Sequence, residues 1–439
     1  MTLDVSTQPA EASLEDDLAA RARADGVRFL LALFVDLAGK PCAKLVPVEA
    51  AEALQQEGVG FAGFAVGAIG QQPSDPDLIA IPDMASYTVL PQVREGLALV
   101  HCDPHVNGRP WRFAPRVILK SLLARAGELK LFAGAEVEYF LVKRTADGEL
   151  VPADGRDDHV RPCYDARGLT RMYDHLTGVS SAMNELGWGN YANDHEDANG
   201  QFEQNFAYAD ALTTADRVIT ARYLISTLAE RRGMTATFMP KPFADQTGSG
   251  MHLHLSLWRD DAPLFPGDGD HGLSALAHRF LAGILEHAPG MQMVLAPTVN
   301  SYKRTGATST RSGATWSPRR ATYGGNDRTH YVRIPDCNRI ELRGGDGAAN
   351  PYLALAVALA AGLDGIERGL APDAPERPEL PPTLLHAIEA FQADSVIGDA
   401  LDAAGLGVGE YFASLKREEF FDWHSTVGSW EHDHYLTAF

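Results

Sequence analysis

The chain has 439 residues, 45% hydrophobic and 22% charged, with a formal net charge of -20 at pH 7. That is the composition of a folded protein of roughly two or three domains rather than of a disordered or fibrous one. The acidic balance excludes nucleic acid or an anionic membrane surface as the main partner, and no apolar run approaches the roughly 18 residues of a membrane span.

From the N-terminus, residues 1–12 read as a flexible tail and residues 14–25 as a short helix. Ser13 is its expected cap, with Glu15, Asp16 and Asp17 in the first turn, where the helix dipole favours negative charge. Apolar runs predict strands over residues 27–37, 42–48, 85–91 and 97–103, with a Gly-rich stretch over 58–70 between them. This strand-rich unit ends where Pro110 and Pro115 punctuate the chain. Beyond it, strands bearing polar pairs mix with helices expected over residues 213–232, 272–287 and 351–366, without the regular alternation of a parallel sheet, so the class is α+β. A Pro-rich surface linker is expected over residues 371–382. Cys42, Cys102, Cys163 and Cys337 lack zinc or CxxC spacing and read as reduced thiols. The acidic segment 11–17 lacks the basic region of a signal peptide, and the expected location is the cytoplasm.

Four constellations carry chemistry. Glu136 and Glu138 stand two apart on an apolar strand, so both carboxylates share one face. Buried carboxylates are expensive unless they are paired, protonated or metal-bound; a solvated acidic face is the plain alternative. His195-Glu196 and Gln201-Phe202-Glu203 flank Asn199-Gly200, a hairpin signal that would bring Glu196 and Glu203 to face each other, or else a polar surface hairpin. Lys241-Pro242 precedes a Gly-rich turn, Thr247-Gly248-Ser249-Gly250, after which His252, His254 and Ser256 share a strand face. Such a turn lets backbone amides approach an anion. Last come Lys303, Arg304, Arg328, Arg333, Arg339 and Arg343, with Glu341 between two arginines on one strand face. In so acidic a chain this local cation excess suits phosphate or carboxylate groups, with a salt-bridge ladder as the alternative.

Taken in order, Glu-x-Glu, His-Glu with Gln-x-Glu, Lys-Pro with GSGMH-x-H-x-S, NSYKR, Arg-x-Glu-x-Arg and NPYL resemble the glutamine synthetase superfamily, from about residue 25 to the C-terminus. The resemblance implies a tail and helix over residues 1–24, a β-grasp domain over 25–110, and a catalytic domain over 111–439 with a curved antiparallel sheet and flanking helices. It implies an ATP-dependent ligase that activates glutamate as γ-glutamyl phosphate for attack by an amine, with two Mg²⁺ or Mn²⁺ ions per site. Glu138, Glu196 and Glu203 would hold one ion, and Glu136, His252 and Glu341 the other. His254, Ser256 and Tyr208 would lie at the nucleotide, with Arg333 and Arg339 on its phosphates. Arg304, Arg343, Thr247 and Gly248 would contact glutamate, and Arg328 would stand nearest the transferred phosphoryl group. A homo-dodecamer of two stacked hexameric rings with sites shared between neighbours is also implied, and neither nucleic acid nor membrane enters as a partner.

Departures from the family pattern bear on the amine. Where ammonia-using members carry an aspartate in Phe-Asp-Gly-Ser, this chain reads Phe61-Ala62-Gly63-Phe64. The loop after NSYKR, which carries a glutamate there, reads Thr305-Gly306-Ala307-Thr308-Ser309-Thr310, and Thr247 replaces an asparagine. Fewer acids leave a less polar pocket, suited to an N-methyl group. The segments around Trp316, and residues 323–336, resemble the branch that contains glutamate-methylamine ligase, with Trp316 expected at the amine pocket. Methylamine is therefore the expected amine, ahead of ammonia, with polyamines and ethanolamine behind; a non-catalytic structural relative is the alternative of another class.

Overall fold

The first sheet is built from the apolar segments of the N-terminal part. In the computed structural model, which describes residues 17–372 and 379–439, strand Phe29–Val35 runs parallel to Leu97–Val106 and antiparallel to Pro41–Pro47. Leu78–Pro82 and Val59–Phe61 extend the sheet on the far side of Leu97–Val106, where Thr88–Val89 and Arg109–Pro110 also pair. Helix Leu18–Ala24 packs Leu18, Ala19 and Ala22 into the same core as Leu30, Ala98 and Val100. Its cap is Asp17, whose carboxylate accepts from Ala20 N at 2.9 Å. Ser13, Glu15, Asp16 and the tail over residues 1–12 lie outside the described residues, as do residues 373–378 of the expected linker. The strand expected over residues 85–91 shrinks to Thr88–Val89, because Asp83 caps a 3-10 turn over Met84–Ser86 and Pro91 has no N–H to give a ladder. The Gly-rich stretch carries strand Val59–Phe61 and a one-turn helix, Gly63–Val66.

The second sheet is centred on the 16-residue strand Leu129–Arg144, flanked by Gln201–Asn205 on one side and Leu253–Arg259 on the other. The order then runs through Arg339–Leu342, Val332–Asp336 and Tyr323–Gly324, with Ala192–His195 at the opposite edge. Period-two alternation decides what each face does. Leu131, Ala133, Ala135, Val137 and Tyr139 enter the main core together with Phe202, Leu253, Leu255, Ile340 and Leu342. The intervening residues, Glu136, Glu138, His254 and Glu341 among them, are thereby turned to the other face. Mixed helices and a mainly antiparallel sheet make the architecture α+β, as expected.

Helices close the core face. The expected helices appear as Ala211–Glu230, Ala275–Glu286 and Pro351–Arg368. The last packs so tightly on Ala275–Glu286 that a Cβ on Gly283 would come within 2.0 Å of Ala361 O. Arg116, 4% exposed, ties the first sheet to helix Ala211–Glu230: its guanidinium donates to Asp216 at 3.0 Å, Asp103 at 2.8 Å and Asp83 at 2.9 Å. No helix among the described residues is long and apolar enough to cross a membrane.

Candidate active site

Four adjacent strands bring carboxylates and an imidazole to one face. Glu203 lies directly opposite Glu138 in the antiparallel ladder, and Asn205 opposite Glu136. On the other flank of Leu129–Arg144, His254 pairs with Gly134 and, across its own far side, with Glu341. His252 precedes that strand and accepts the Glu136 amide on its carbonyl at 3.1 Å. Glu196 comes from the hairpin between Ala192–His195 and Gln201–Asn205. The expectation that Glu196 faces Glu203 across the hairpin is corrected: Asp194 occupies that place, and Glu196 sits in the connecting loop. The loop is held by His195, fully buried, whose Nε2 meets Asp157 Oδ2 at 2.9 Å and whose Nδ1 meets Glu196 O at 2.9 Å.

The electrostatics of this cluster are unbalanced. Burial first, then Glu138, Glu136 and Asp194, push the Glu196 carboxyl well above its usual range. Burial, then Glu136, Glu196 and Glu138, do the same to Glu203. Burial would raise Glu136 too, but His252 and His254 hold it well below the usual range. Their contacts are 2.6 Å from His252 Nδ1 to Glu136 Oε2 and 2.8 Å from His254 Nε2 to Glu136 Oε1. Arg339 Nε approaches His254 Nδ1 at 3.2 Å, and a guanidinium only donates, so the His254 proton lies on Nε2, facing Glu136. Mutually repelling carboxylates beside imidazoles form a donor set that suits hard divalent cations. Glu136, His254 and Glu341 have ligand atoms within 4.8 Å of one another and could together hold a metal ion, a group in which His254 rather than the expected His252 appears.

Three further groups surround the cluster. Gln201 Nε2 and Gly250 N both donate to Glu138 Oε2, at 2.9 and 2.8 Å, and fix that carboxylate. Arg304, 3% exposed, has its Nη1 buried without a hydrogen-bond partner, beside the glycine turn that carries Thr247 and Gly248. An unpaired buried guanidinium is costly, and a substrate carboxylate would satisfy it. Glu341 is flanked by Arg343 at 2.6 Å and Arg333 at 2.5 Å, correcting the expected pairing with Arg339. A register shift between Arg333 and Asp336 lets Arg339 turn to Asp336, at 2.9 Å. Arg328 is exposed on the turn over residues 326–329 and stays outside the carboxylate cluster.

Next to Glu136 opens a cavity of about 440 Å³ lined by Phe132, Gly134, Tyr208, His254, Ser256 and Arg339. Four of the expected nucleotide-side residues therefore share one cavity. No role was assigned from the sequence to Gln201, Asp346 or Asp197. Burial pushes the Asp346 carboxyl up to about 6 despite Arg304 and Ser301 nearby. Asp197 accepts from Thr247, Ser312 and Trp316. Only Gln201 had a signal, its place two residues before Glu203 on the same strand face.

A face of carboxylates and imidazoles beside a nucleotide-sized cavity and a buried, unpaired arginine defines an enzyme site for charged, phosphorylated substrates. The chain belongs to the glutamine synthetase family: the family model "Glutamine synthetase, catalytic domain" matches residues 112–435. It is 42% identical over 435 residues to the glutamine synthetase of Rhizobium leguminosarum bv. phaseoli, covering 95% of this chain and 98% of the relative. It is 38% identical to the glutamate–methylamine ligase of Methyloversatilis universalis, covering 94% and 97%. A solved structure described as "GmaS/ADP complex-Conformation 1" superposes with a TM-score of 0.91 at 47% identity, covering 96% of this chain and 99% of that one. The protein is a ligase of this family, which works with ATP, divalent metal, glutamate and ammonia or an amine.

Proposed function

We propose that the chain joins the γ-carboxylate of glutamate to methylamine, through γ-glutamyl phosphate. The observation that supports this amine is Trp316. Its indole is tied to Asp197 at 2.7 Å, beside Thr247, and its carbonyl accepts from Arg343 at 3.4 Å. An aromatic wall there, with no acid in residues 305–310, favours a methyl-bearing amine over ammonium. The Methyloversatilis relative carries the corresponding name.

The residues divide the work by charge. Glu138, Glu196 and Glu203 would hold one Mg²⁺ or Mn²⁺ and Glu136, His252 and Glu341 the other, with His254 shared between Glu136 and the nucleotide. When bound, such ions neutralise the crowded phosphate and carboxylate oxygens. Tyr208, His254, Ser256 and Arg339 form the nucleotide side, and Arg333 stands behind Glu341. Arg304, with Thr247, Gly248 and Arg343, receives glutamate, and Arg328 would stand nearest the transferred phosphoryl group. Phe64, 56% exposed on the one-turn helix Gly63–Val66, and the exposed Phe421, Trp423 and Trp430 on the last helices offer contact surfaces for a ring assembly with shared sites, a dodecamer.

Purified protein should use methylamine with kcat/KM at least about tenfold above ammonium, the discrimination one methyl group gives in an apolar pocket. An amine panel read by mass spectrometry checks it, and an ammonium preference contradicts it. That second reading, glutamine synthesis, is favoured by the name of the Rhizobium relative.

A further inference from the structure

Residues 307–317 form an irregular strap between helix Ser301–Thr305 and strand Tyr323–Gly324, and the strap converges on one carboxylate. Asp197 follows Glu196 in the hairpin loop and is 8% exposed. Its Oδ2 accepts from Ser312 Oγ at 2.5 Å, Trp316 Nε1 at 2.7 Å and Thr247 Oγ1 at 3.2 Å. The strap brings two of these donors and the substrate-side glycine turn brings the third. Arg311 adds ties to Asn199 Oδ1 at 3.4 Å, Asp158 O at 3.1 Å and, through its amide, Asp245 O at 2.6 Å.

Trp316 also has φ +54°, a backbone conformation that bulky L residues rarely adopt. Such a conformation persists only where surrounding contacts over-determine it. The indole N–H bond to Asp197 and the Arg343 bond to the Trp316 carbonyl are such contacts.

We propose that Asp197 is the positioning residue that fastens this strap, and with it the Trp316 indole, over the glutamyl site, deciding whether the activated glutamate meets an amine or water. The proposal rests on the ligase reading above. The productive step forms a bond from the amine nitrogen to the γ-carbonyl carbon and breaks the bond from that carbon to the bridging phosphate oxygen. The nitrogen loses a proton, and phosphate leaves with the electron pair. Water in place of the amine adds its oxygen to the same carbon, phosphate leaves in the same way, and glutamate is regenerated with one ATP spent. A closed strap favours the first outcome by excluding water.

The test compares glutamate-dependent phosphate release with amide formation in the wild type, Asp197→Ala and Trp316→Phe, using whichever amine the wild type prefers. Trp316→Phe keeps an aromatic ring and removes the N–H donor, so it carries the test should Asp197→Ala fail to fold. The wild type should release one phosphate per amide. Trp316→Phe and Asp197→Ala should release at least threefold more phosphate than amide at sub-saturating amine, with the amine KM raised about tenfold and the ATP KM changed less than twofold. A ratio that stays at one in the folded variants, or ATP and amine KM values rising together, overturns the latch. A wild type that prefers ammonium overturns the methylamine assignment alone. A wild type with no glutamate-dependent phosphate release overturns the ligase reading and the latch with it.

Discussion

Glu203→Gln is expected to lower amide formation by about 10²- to 10³-fold, the usual loss when one charge-stabilising group leaves a reaction centre, and yet to make the metal-free protein more stable than wild type. Burial and the neighbouring Glu136, Glu196 and Glu138 raise the Glu203 carboxyl well above its usual range. A carboxyl raised in the folded state holds its proton more tightly there than in the unfolded chain. Metal-free wild type should therefore lose stability as pH climbs from the ordinary glutamate range through the raised folded value, and stay at that lower level above it. Glutamine fits the same space without ionising, so the variant lacks this slope. With metal removed at neutral pH, its unfolding midpoint should exceed that of wild type by ~1–3 °C, about what a modest gain in free energy gives in a chain of this size. Adding Mg²⁺ or Mn²⁺ should reverse the order, since only wild type keeps the full donor set. Thermal unfolding with and without chelator, across pH, measures both effects. A variant less stable than wild type without metal would mean that Glu203 is held by protein contacts instead of a cation.

Gly250→Ala is expected to cost at least about 10²-fold in kcat/KM, with a small change in stability. A Cβ there would stand 2.8 Å from His252 Nε2, 3.0 Å from Arg304 Nη2 and 3.0 Å from Glu138 Oε1. All three are the far ends of side chains that can swing aside, so the fold tolerates the methyl group. Those ends are, however, two expected metal ligands and the buried arginine proposed to receive glutamate, and displacements of about 1 Å at a reaction centre cost on the order of 10² in rate. Gly248 is the contrast. Its Cβ would come within 2.2 Å of Pro240 O, a backbone atom, so Gly248→Ala should damage folding as well as activity. Steady-state kinetics beside thermal unfolding separates the two variants.

Much of the site was legible because strands have a period of two. Glu136 with Glu138, and His254 with Ser256, are placed on the open face by the same alternation that sends Val137, Tyr139, Leu253 and Leu255 into the core. What spacing did not reveal is what partners across strands decide. Glu203 is opposite Asp194 rather than Glu196 because the ladder of that hairpin ends at His195 and Phe202, leaving Glu196 in the loop. Arg339 leaves Glu341 to Arg333 because of an irregular register in the neighbouring strand. Asp197 carried no signal, since its partners Ser312 and Trp316 arrive from more than a hundred residues away. The N-terminal helix was legible and its cap was not, because Asp17 competes with Ser13 for the role and both are good caps.

Transfer of oxygen from substrate tests the central claim, that this convergence of carboxylates, imidazoles and arginines serves to phosphorylate glutamate before amide formation. Glutamate labelled with ¹⁸O in its γ-carboxylate, incubated with the protein, ATP, Mg²⁺ and methylamine, should release phosphate carrying one labelled oxygen per amide formed. Phosphate released without label would contradict an acyl phosphate and the function drawn from the site.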